Sequence, residues 1–133
     1  MRTSDADLAG ATDAREIDVP QFIDPRGCLV AFEQARPLPF APARAFVIAD
    51  VPPGAHRAQH EVPCDQFLWM VAGACLAIVR RTGASDAESE RQFRLVARGP
   101  GLFLPQGAWL DLSDFAPGSI LLCLAASGYA AQD

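Results

Sequence analysis

The stretch GAHRAQHEVPCDQFLWMVAG, residues Gly54–Gly73, decides the fold. Its second half, Phe67–Val71, is apolar at every position, whereas a strand with one face in water alternates apolar and polar residues. We therefore expect a β-strand that is covered on both faces, with a second subunit as one candidate for the cover. On this interpretation Trp69 is a core or dimer-interface residue rather than a ligand contact.

Outward from this stretch, short apolar runs alternate with turn signals along the rest of the chain, which is typical of β-sandwiches and β-barrels. The 11 prolines and 10 glycines are spread so evenly that little room is left for a long helix. We predict an all-β jelly roll formed by residues 15–133, preceded by a flexible polar segment at residues 1–14. The predicted strands are Glu16–Phe22, Cys28–Glu33, Arg44–Val51, Gln66–Val71, Cys75–Arg80, Arg91–Val96, Gly101–Leu104, Ala108–Leu112 and Ser119–Leu124.

The composition limits the classes of partner. The chain has 133 residues and a formal net charge of −5, and its 11 basic residues are scattered, which argues against a nucleic-acid or membrane surface. A small molecule or another protein is the expected partner. The N-terminus has no apolar segment typical of a signal peptide, so a cytoplasmic location is expected. The four cysteines are far apart, and we expect them to be reduced and structural.

The spacing of Gly54, His60, Val62, Gln66 and Gly73 resembles the first cupin motif, Gly-x5-His-x-His-x3,4-Glu-x6-Gly. The second cupin motif is similar to the series Gly99, Pro105, Gly107, Leu110 and Asp114. The resemblance implies a cupin-type jelly roll. The four positions that hold metal ligands in cupins carry here one imidazole, one amide and two hydrocarbons, so we expect no metal and no other cofactor.

A longer resemblance runs from about Arg15 to the C-terminus, to the WxcM-like cupins. That family contains the dTDP-4-keto-6-deoxyglucose 3,4-ketoisomerases, which move a carbonyl between neighbouring sugar carbons through an enediol and need no metal. The similar segments are Phe22–Glu33, Pro39-Phe40, Arg44–Ile48, Gln66–Leu68, Gly101–Pro105, Trp109 and Phe115–Tyr129.

The family carries its proton-transfer groups in an Arg-Gly-x-His-Ala-His segment, with a tyrosine on the preceding strand. Here that segment is Arg57-Ala-Gln-His-Glu-Val62, so the second histidine is replaced by valine, and the preceding strand has no tyrosine. His60 is the predicted catalytic residue, because imidazole exchanges a proton near neutral pH. Its alternative role is that of an inert, hydrogen-bonded histidine. His56 matches no motif.

The predicted substrate-binding residues are Arg44, Arg57, Gln66, Trp109 and Arg26. Arginine binds phosphate or hydroxyl groups in a bidentate manner, and an indole face stacks on a sugar or a base. Structural alternatives remain open: an ion pair for Arg44 or Arg57, a turn role for Arg26, and a core position for Trp109. The neighbouring Glu61, Cys64 and Asp65 are further candidates to replace the lost histidine.

Two functions follow. The first is a metal-independent nucleotide-sugar isomerase homologue that acts on or binds a dTDP-4-keto-6-deoxyhexose. The alternative is a non-catalytic cupin that binds a sugar or another metabolite and has lost turnover. The family resemblance also implies a homodimer that exchanges N-terminal strands.

Overall fold

The computed structural model describes residues 13–81 and 90–128, and this part of the chain consists of β-strands without a helix. The all-β prediction is therefore confirmed. The strands are β1 (Arg15–Ile17), β2 (Phe22–Asp24), β3 (Gly27–Leu29), β4 (Glu33–Gln34), β5 (Pro37–Leu38), β6 (Arg44–Ala49), β7 (Arg57–Glu61), β8 (Gln66–Ala72), β9 (Ala74–Arg80), β10 (Arg91–Val96), β11 (Gly101–Leu104), β12 (Trp109–Ser113) and β13 (Ile120–Ala125).

Two antiparallel sheets enclose the main core. The five-stranded sheet has the order β1-β11-β8-β13-β6, and the four-stranded sheet has the order β10-β9-β12-β7. Leu68, Leu102 and Leu121 from the first sheet pack in one cluster with Ala77 and Leu112 from the second. Burial of these alternate side chains between the sheets holds the sandwich together.

A second core covers the outer face of the five-stranded sheet. Phe67 and Trp69 of β8 pack there with Val19, Leu38 and Phe40, which come from the N-terminal part of the same chain. Residues Gln66–Met70 are consequently all buried. The two-sided cover predicted for this strand is present, but the chain itself provides it, and a second subunit is not needed to bury Trp69.

Most predicted strands lie within one or two residues of the observed ones, but three differences stand out. The predicted strand Glu16–Phe22 is divided into β1 and β2, with Pro20 between them, since proline lacks the N–H that a sheet interior requires. The predicted strand Cys28–Glu33 is likewise divided, into β3 and β4. Strand β7 was not predicted, because its sequence RAQHE has no apolar alternation.

Some expectations concern residues that the structure does not describe. The flexible segment predicted at residues 1–14 lies almost entirely outside the described residues, and so does the C-terminal end of the similar segment Phe115–Tyr129. The strands β9 and β10 pair in antiparallel fashion. Among the described residues, no helix has the length and apolar character needed to cross a membrane.

Candidate active site

A cavity of about 210 Å³ lies between the two sheets. Its walls are largely apolar and come from both sheets: Phe46, Ile48, Val62, Leu68, Leu110, Leu112 and Cys123. Ala58 and Pro63 also line the cavity, and its four polar side chains are Arg44, Arg57, His60 and Gln66. The structure thus brings the predicted catalytic residue together with three of the five predicted binding residues.

A β-bulge in β7 places Arg57 and His60 on the same face. Residues three apart on a regular strand point to opposite faces of the sheet. Here Leu110 of β12 pairs with His60, and the next residue, Asp111, pairs with Ala58, so Gln59 is an extra residue in the ladder. This insertion restores the alternation on both sides, and both side chains reach the cavity.

The bulge depends on a left-handed backbone at two consecutive residues. Ala58 has a φ of 68° and Gln59 a φ of 65°, values that favour glycine. The family motif has glycine at the position of Ala58, and a glycine there would have been the signal in the sequence for the bulge. Without it, the polar pattern of the segment gave no indication of a strand.

The polar residues differ in exposure, and this gives the cavity a solvent-facing and a buried side. Arg57 and His60 are exposed, Arg44 is half-buried with its guanidinium 4.6 Å from the ring centre of Phe46, and Gln66 is buried. The Nδ1 of His60 lies 2.9 Å from the backbone oxygen of Glu61. If Nδ1 donates its hydrogen to that oxygen, Nε2 is the ring nitrogen that accepts a proton.

Cys123 is the buried thiol of the cavity. Burial raises its pKa well above the ordinary value, and the neighbouring Cys75 raises it further, while Arg44 and Arg57 oppose the shift. The thiol is therefore protonated at neutral pH and is a poor nucleophile and a poor metal ligand. Among the described residues that line this cavity, His60 carries the side-chain type that most often transfers protons in catalysis.

The lining does not fit the metal site of metal-binding cupins. A mononuclear site requires three or four converging nitrogen, oxygen or thiolate donors. Val62 and Leu110 offer none, and the amide of Gln66 is a weak donor, so a single imidazole remains. Within residues 13–81 and 90–128 no group of three or more His, Cys, Asp or Glu side chains is placed to hold a metal ion.

Trp109 and Arg26 do not line the cavity. Because Leu110 and Leu112 point into it, the alternation of β12 directs Trp109 to the outer face, where the Arg80 guanidinium lies 4.3 Å from its ring centre. Arg26 lies in the turn between β2 and β3 and pairs with Asp24 at 2.6 Å. Their hydrogen bonds lower the pKa of Asp24.

The three acidic or thiol candidates next to the cavity segment are also absent from its lining. Glu61 pairs with Trp109 and is exposed. Asp65 accepts a hydrogen bond from the backbone N–H of Gln106 at 2.8 Å, which ties two loops together. Cys64 is half-buried.

Sequence reasoning missed the walls given by β6 and β13. The inward positions Phe46, Ile48 and Cys123 line the cavity and were not among the predicted site residues. Exposure alternates along β6, with Ala45 and Val47 exposed, but every residue after Arg44 in this strand is apolar, so the sequence carried no alternation that could have identified the inward positions.

Comparisons with known proteins show what this chain is similar to. The sequence model of the family described as WxcM-like, C-terminal (FdtA) matches residues 12–133. The TDP-4-oxo-6-deoxy-alpha-D-glucose-3,4-oxoisomerase of Aneurinibacillus thermoaerophilus is 27% identical over 118 residues, which is 88% of this chain and 81% of that protein.

Two solved structures support the same relationship. A 3,4-ketoisomerase from Helicobacter canadensis has a TM-score of 0.80 and 27% identity, with 91% of this chain and 88% of that chain covered. The TDP-quinovose 3,4-ketoisomerase of Campylobacter jejuni has a TM-score of 0.78 and 28% identity, with 89% and 88% covered. The cupin-type fold is thereby confirmed, and the chain belongs to the WxcM-like family as a homologue of nucleotide-sugar 3,4-ketoisomerases.

Proposed function

We propose that this protein is a metal-independent isomerase that moves a carbonyl between C4 and C3 of a TDP-linked 4-keto-6-deoxyhexose. The observation that carries the proposal is the composition of the cavity. Within the described part of the chain, the lining consists of one imidazole and two guanidinium groups beside apolar walls, without a carboxylate. This set suits an anionic sugar derivative and proton transfer, and the similarity to a TDP-sugar oxoisomerase supplies the substrate class.

His60 performs the proton transfers. A C4 carbonyl acidifies the hydrogen on C3, and the imidazole takes that proton while the electron pair of the C–H bond forms an enediolate. The proton on O3 moves to O4, and the imidazolium returns its proton to C4, which leaves a carbonyl at C3 and a hydroxyl at C4. The imidazole regains its starting state, so no oxidant or reductant is consumed.

Arg57 and Arg44 bind the anionic and polar groups of the substrate. A guanidinium next to the reacting oxygens stabilises the negative charge of the enediolate, and a second one binds a phosphate or a sugar hydroxyl. Gln66, which is buried at the start of β8, hydrogen-bonds a hydroxyl. The cavity volume of about 210 Å³ is below the roughly 300–1,000 Å³ of pockets that hold drug-sized ligands, so the sugar enters it and the nucleotide stays outside.

The sequence also suggested Trp109 and Arg26 as binding residues. Neither lines the sugar cavity, so in this proposal they contact a part of the substrate that lies outside it. Each is solvent-accessible, and each already interacts with a side chain of this chain, Arg80 or Asp24. A contact with the nucleotide portion is the role left to them. Trp109→Ala and Arg26→Ala are therefore expected to affect the affinity for TDP rather than the turnover of bound sugar.

The test is to incubate the protein with TDP-4-keto-6-deoxyglucose and to follow the sugar carbons by NMR. Appearance of a 3-keto product in metal-free buffer supports the proposal. Turnover that is abolished by a chelator and restored by a divalent metal contradicts its metal-independent part. Stabilisation of the protein by the nucleotide sugar without any turnover favours the non-catalytic binder instead.

The assembly proposed with this function is a homodimer. Phe22, Ile23 and Leu29 are exposed on the hairpin of β2 and β3, which pairs with no other strand of the described chain. An isolated two-stranded hairpin is marginally stable in water, and a second subunit gives it a surface to pack on. Sedimentation equilibrium of the wild type and of Ile23→Asp tests this: a dimer that becomes a monomer supports it, and a monomeric wild type contradicts it.

The cytoplasmic location expected from the sequence remains part of the proposal. It is supported by the free state of all four cysteines, each of which lies in the described part of the chain. Alkylation of intact cells with a membrane-impermeant thiol reagent, followed by detection of the protein, distinguishes a protected location from an exposed one.

A further inference from the structure

We infer that the His56–Asp111 pair is a positioning device that holds the N-terminal end of β7, and with it Arg57, against the cavity. The inference rests on the proposed function for its catalytic readout. It concerns two residues outside the cavity lining, neither of which takes part in the proposed proton transfers.

The pair is short and partly buried. The Nδ1 of His56 lies 2.8 Å from Oδ1 of Asp111, and the two side chains are 45% and 8% exposed, respectively. Because a carboxylate oxygen faces it, Nδ1 carries the hydrogen and donates it. A carboxylate with so little contact with water needs such a donor, since burial without one is costly.

The position of the pair connects the outer face of the sheet to the cavity. Leu110 and Leu112 of β12 point into the cavity, so Asp111 between them points to the opposite face. His56 directly precedes Arg57, the first residue of β7 and a cavity residue. The hydrogen bond on the outer face therefore restrains the residue next to a predicted binding group.

Strand β7 needs this restraint because it has few others. Among the described strands it is an edge strand that pairs with β12 alone, and the bulge at Ala58 and Gln59 interrupts that ladder. Its C-terminal end is held by two backbone hydrogen bonds of Val62, one to the oxygen of Ala108 at 2.8 Å and one from the N–H of Gly107 at 2.9 Å. At its N-terminal end the His56–Asp111 bond crosses to β12.

The experiment compares His56→Ala with His56→Asn. The amide nitrogen of asparagine lies near the position of Nδ1 and preserves a donor to Asp111, whereas alanine removes it. Asp114→Asn is the matched control, because it weakens the Arg94–Asp114 pair, also at 2.8 Å, which connects to β10 at the opposite edge of the sheet from β7. Asp114 has a φ of 54°, which asparagine tolerates.

Catalysis is the first readout, measured well below the melting temperature of each variant. We expect His56→Ala to lower kcat/KM by about tenfold to a hundredfold, since a displacement of roughly 1 Å can cost 10²-fold in rate. We expect His56→Asn to recover most of this loss and Asp114→Asn to show none. A purely structural pair would lower the melting temperature and leave kcat/KM of the folded protein unchanged, which would overturn the inference.

The second readout needs no substrate. The chain has two histidines, so each His56 variant leaves the imidazole of His60 as a single set of ring signals in the NMR spectrum. We expect those signals to match the wild type in His56→Asn and to be displaced or broadened in His56→Ala. Identical His60 signals in all forms would overturn the inference. If the wild type does not convert the sugar, the proposed function fails and these spectra alone decide about the pair.

Discussion

Replacing Gln59 with glycine is predicted to stabilise the protein, because Gln59 is the extra residue of the bulge and has a φ of 65°. A left-handed backbone costs a residue with a Cβ about 1–2 kcal/mol. Glycine avoids this cost, but it raises the conformational entropy of the unfolded chain and thereby lowers the free energy of unfolding by about 0.4–1 kcal/mol. The side chain of Gln59 is exposed, so its removal costs little burial.

The difference between the two terms is a gain of about 0.8 kcal/mol in the free energy of unfolding, or about 3 °C in melting temperature for a domain of this size. Urea unfolding followed by fluorescence of the buried Trp69 measures it, provided that the m-value is unchanged. The free energy of unfolding of Gln59→Asn is expected to lie between those of the wild type and Gln59→Gly, since asparagine tolerates this φ better than glutamine does.

The control is the same substitution in a regular strand. Gln92 is an exposed residue of β10 that pairs with Ile78. Gln92→Gly is expected to destabilise the protein by about 0.5–1 kcal/mol, because glycine weakens a strand interior. Changes of opposite sign in the free energy of unfolding of Gln59→Gly and Gln92→Gly support the bulge. A Gln59→Gly protein less stable than the wild type would refute the left-handed backbone on which the bulge depends.

Three further predictions concern the core and the cavity. Burial raises the pKa of Cys75 from 9.0 to about 11, so the native state binds this proton more tightly than the unfolded state. The contribution of Cys75 to the free energy of unfolding should be complete below pH 9 and fall as the pH rises towards 11. In a series of urea titrations Cys75→Ala should flatten that decline, and an equal decline in wild type and variant would contradict the prediction. Gly101→Ala places a Cβ 2.1 Å from the buried ring of Phe67 and should destabilise by about 1–3 kcal/mol, whereas Gly128→Ala meets no atom within 4 Å and should be nearly neutral; similar melting temperatures for the two would contradict the close packing. Val62→His restores the second imidazole of the family motif and should raise kcat by about tenfold or more, within the range of general acid–base catalysis; a folded variant with an unchanged kcat would show that the second imidazole is not the missing group.

The sheet strands were predictable because their burial follows the sequence pattern. The continuous apolar run Phe67–Val71 indicated a strand with two covered faces, and β8 packs its alternate side chains into two cores. The identity of the cover was not predictable. It depends on contacts between β8 and residues near Val19 and Leu38, far away in the chain, which no local pattern contains.

The lining of the cavity was predicted in part, and the positions of the remaining candidates have a geometric origin. The motif spacing identified His60 and Gln66 as candidate site residues, and both line the cavity. Trp109 was selected for its chemistry, but a single-residue offset from Leu110 places it on the outer face. The bulge could not be found from side-chain pattern alone, because Ala58 stands where a glycine would have indicated a positive φ.

The most direct test of the central claim, that His60 is the proton-transferring group of this cavity, is the incorporation of deuterium into the nucleotide-linked keto-sugar in deuterated water. Wild-type protein is predicted to place solvent deuterium at the carbon that gains the proton, as followed by NMR. His60→Ala is predicted to abolish this incorporation while retaining most of the affinity for TDP. Undiminished incorporation by the His60→Ala protein would contradict the account.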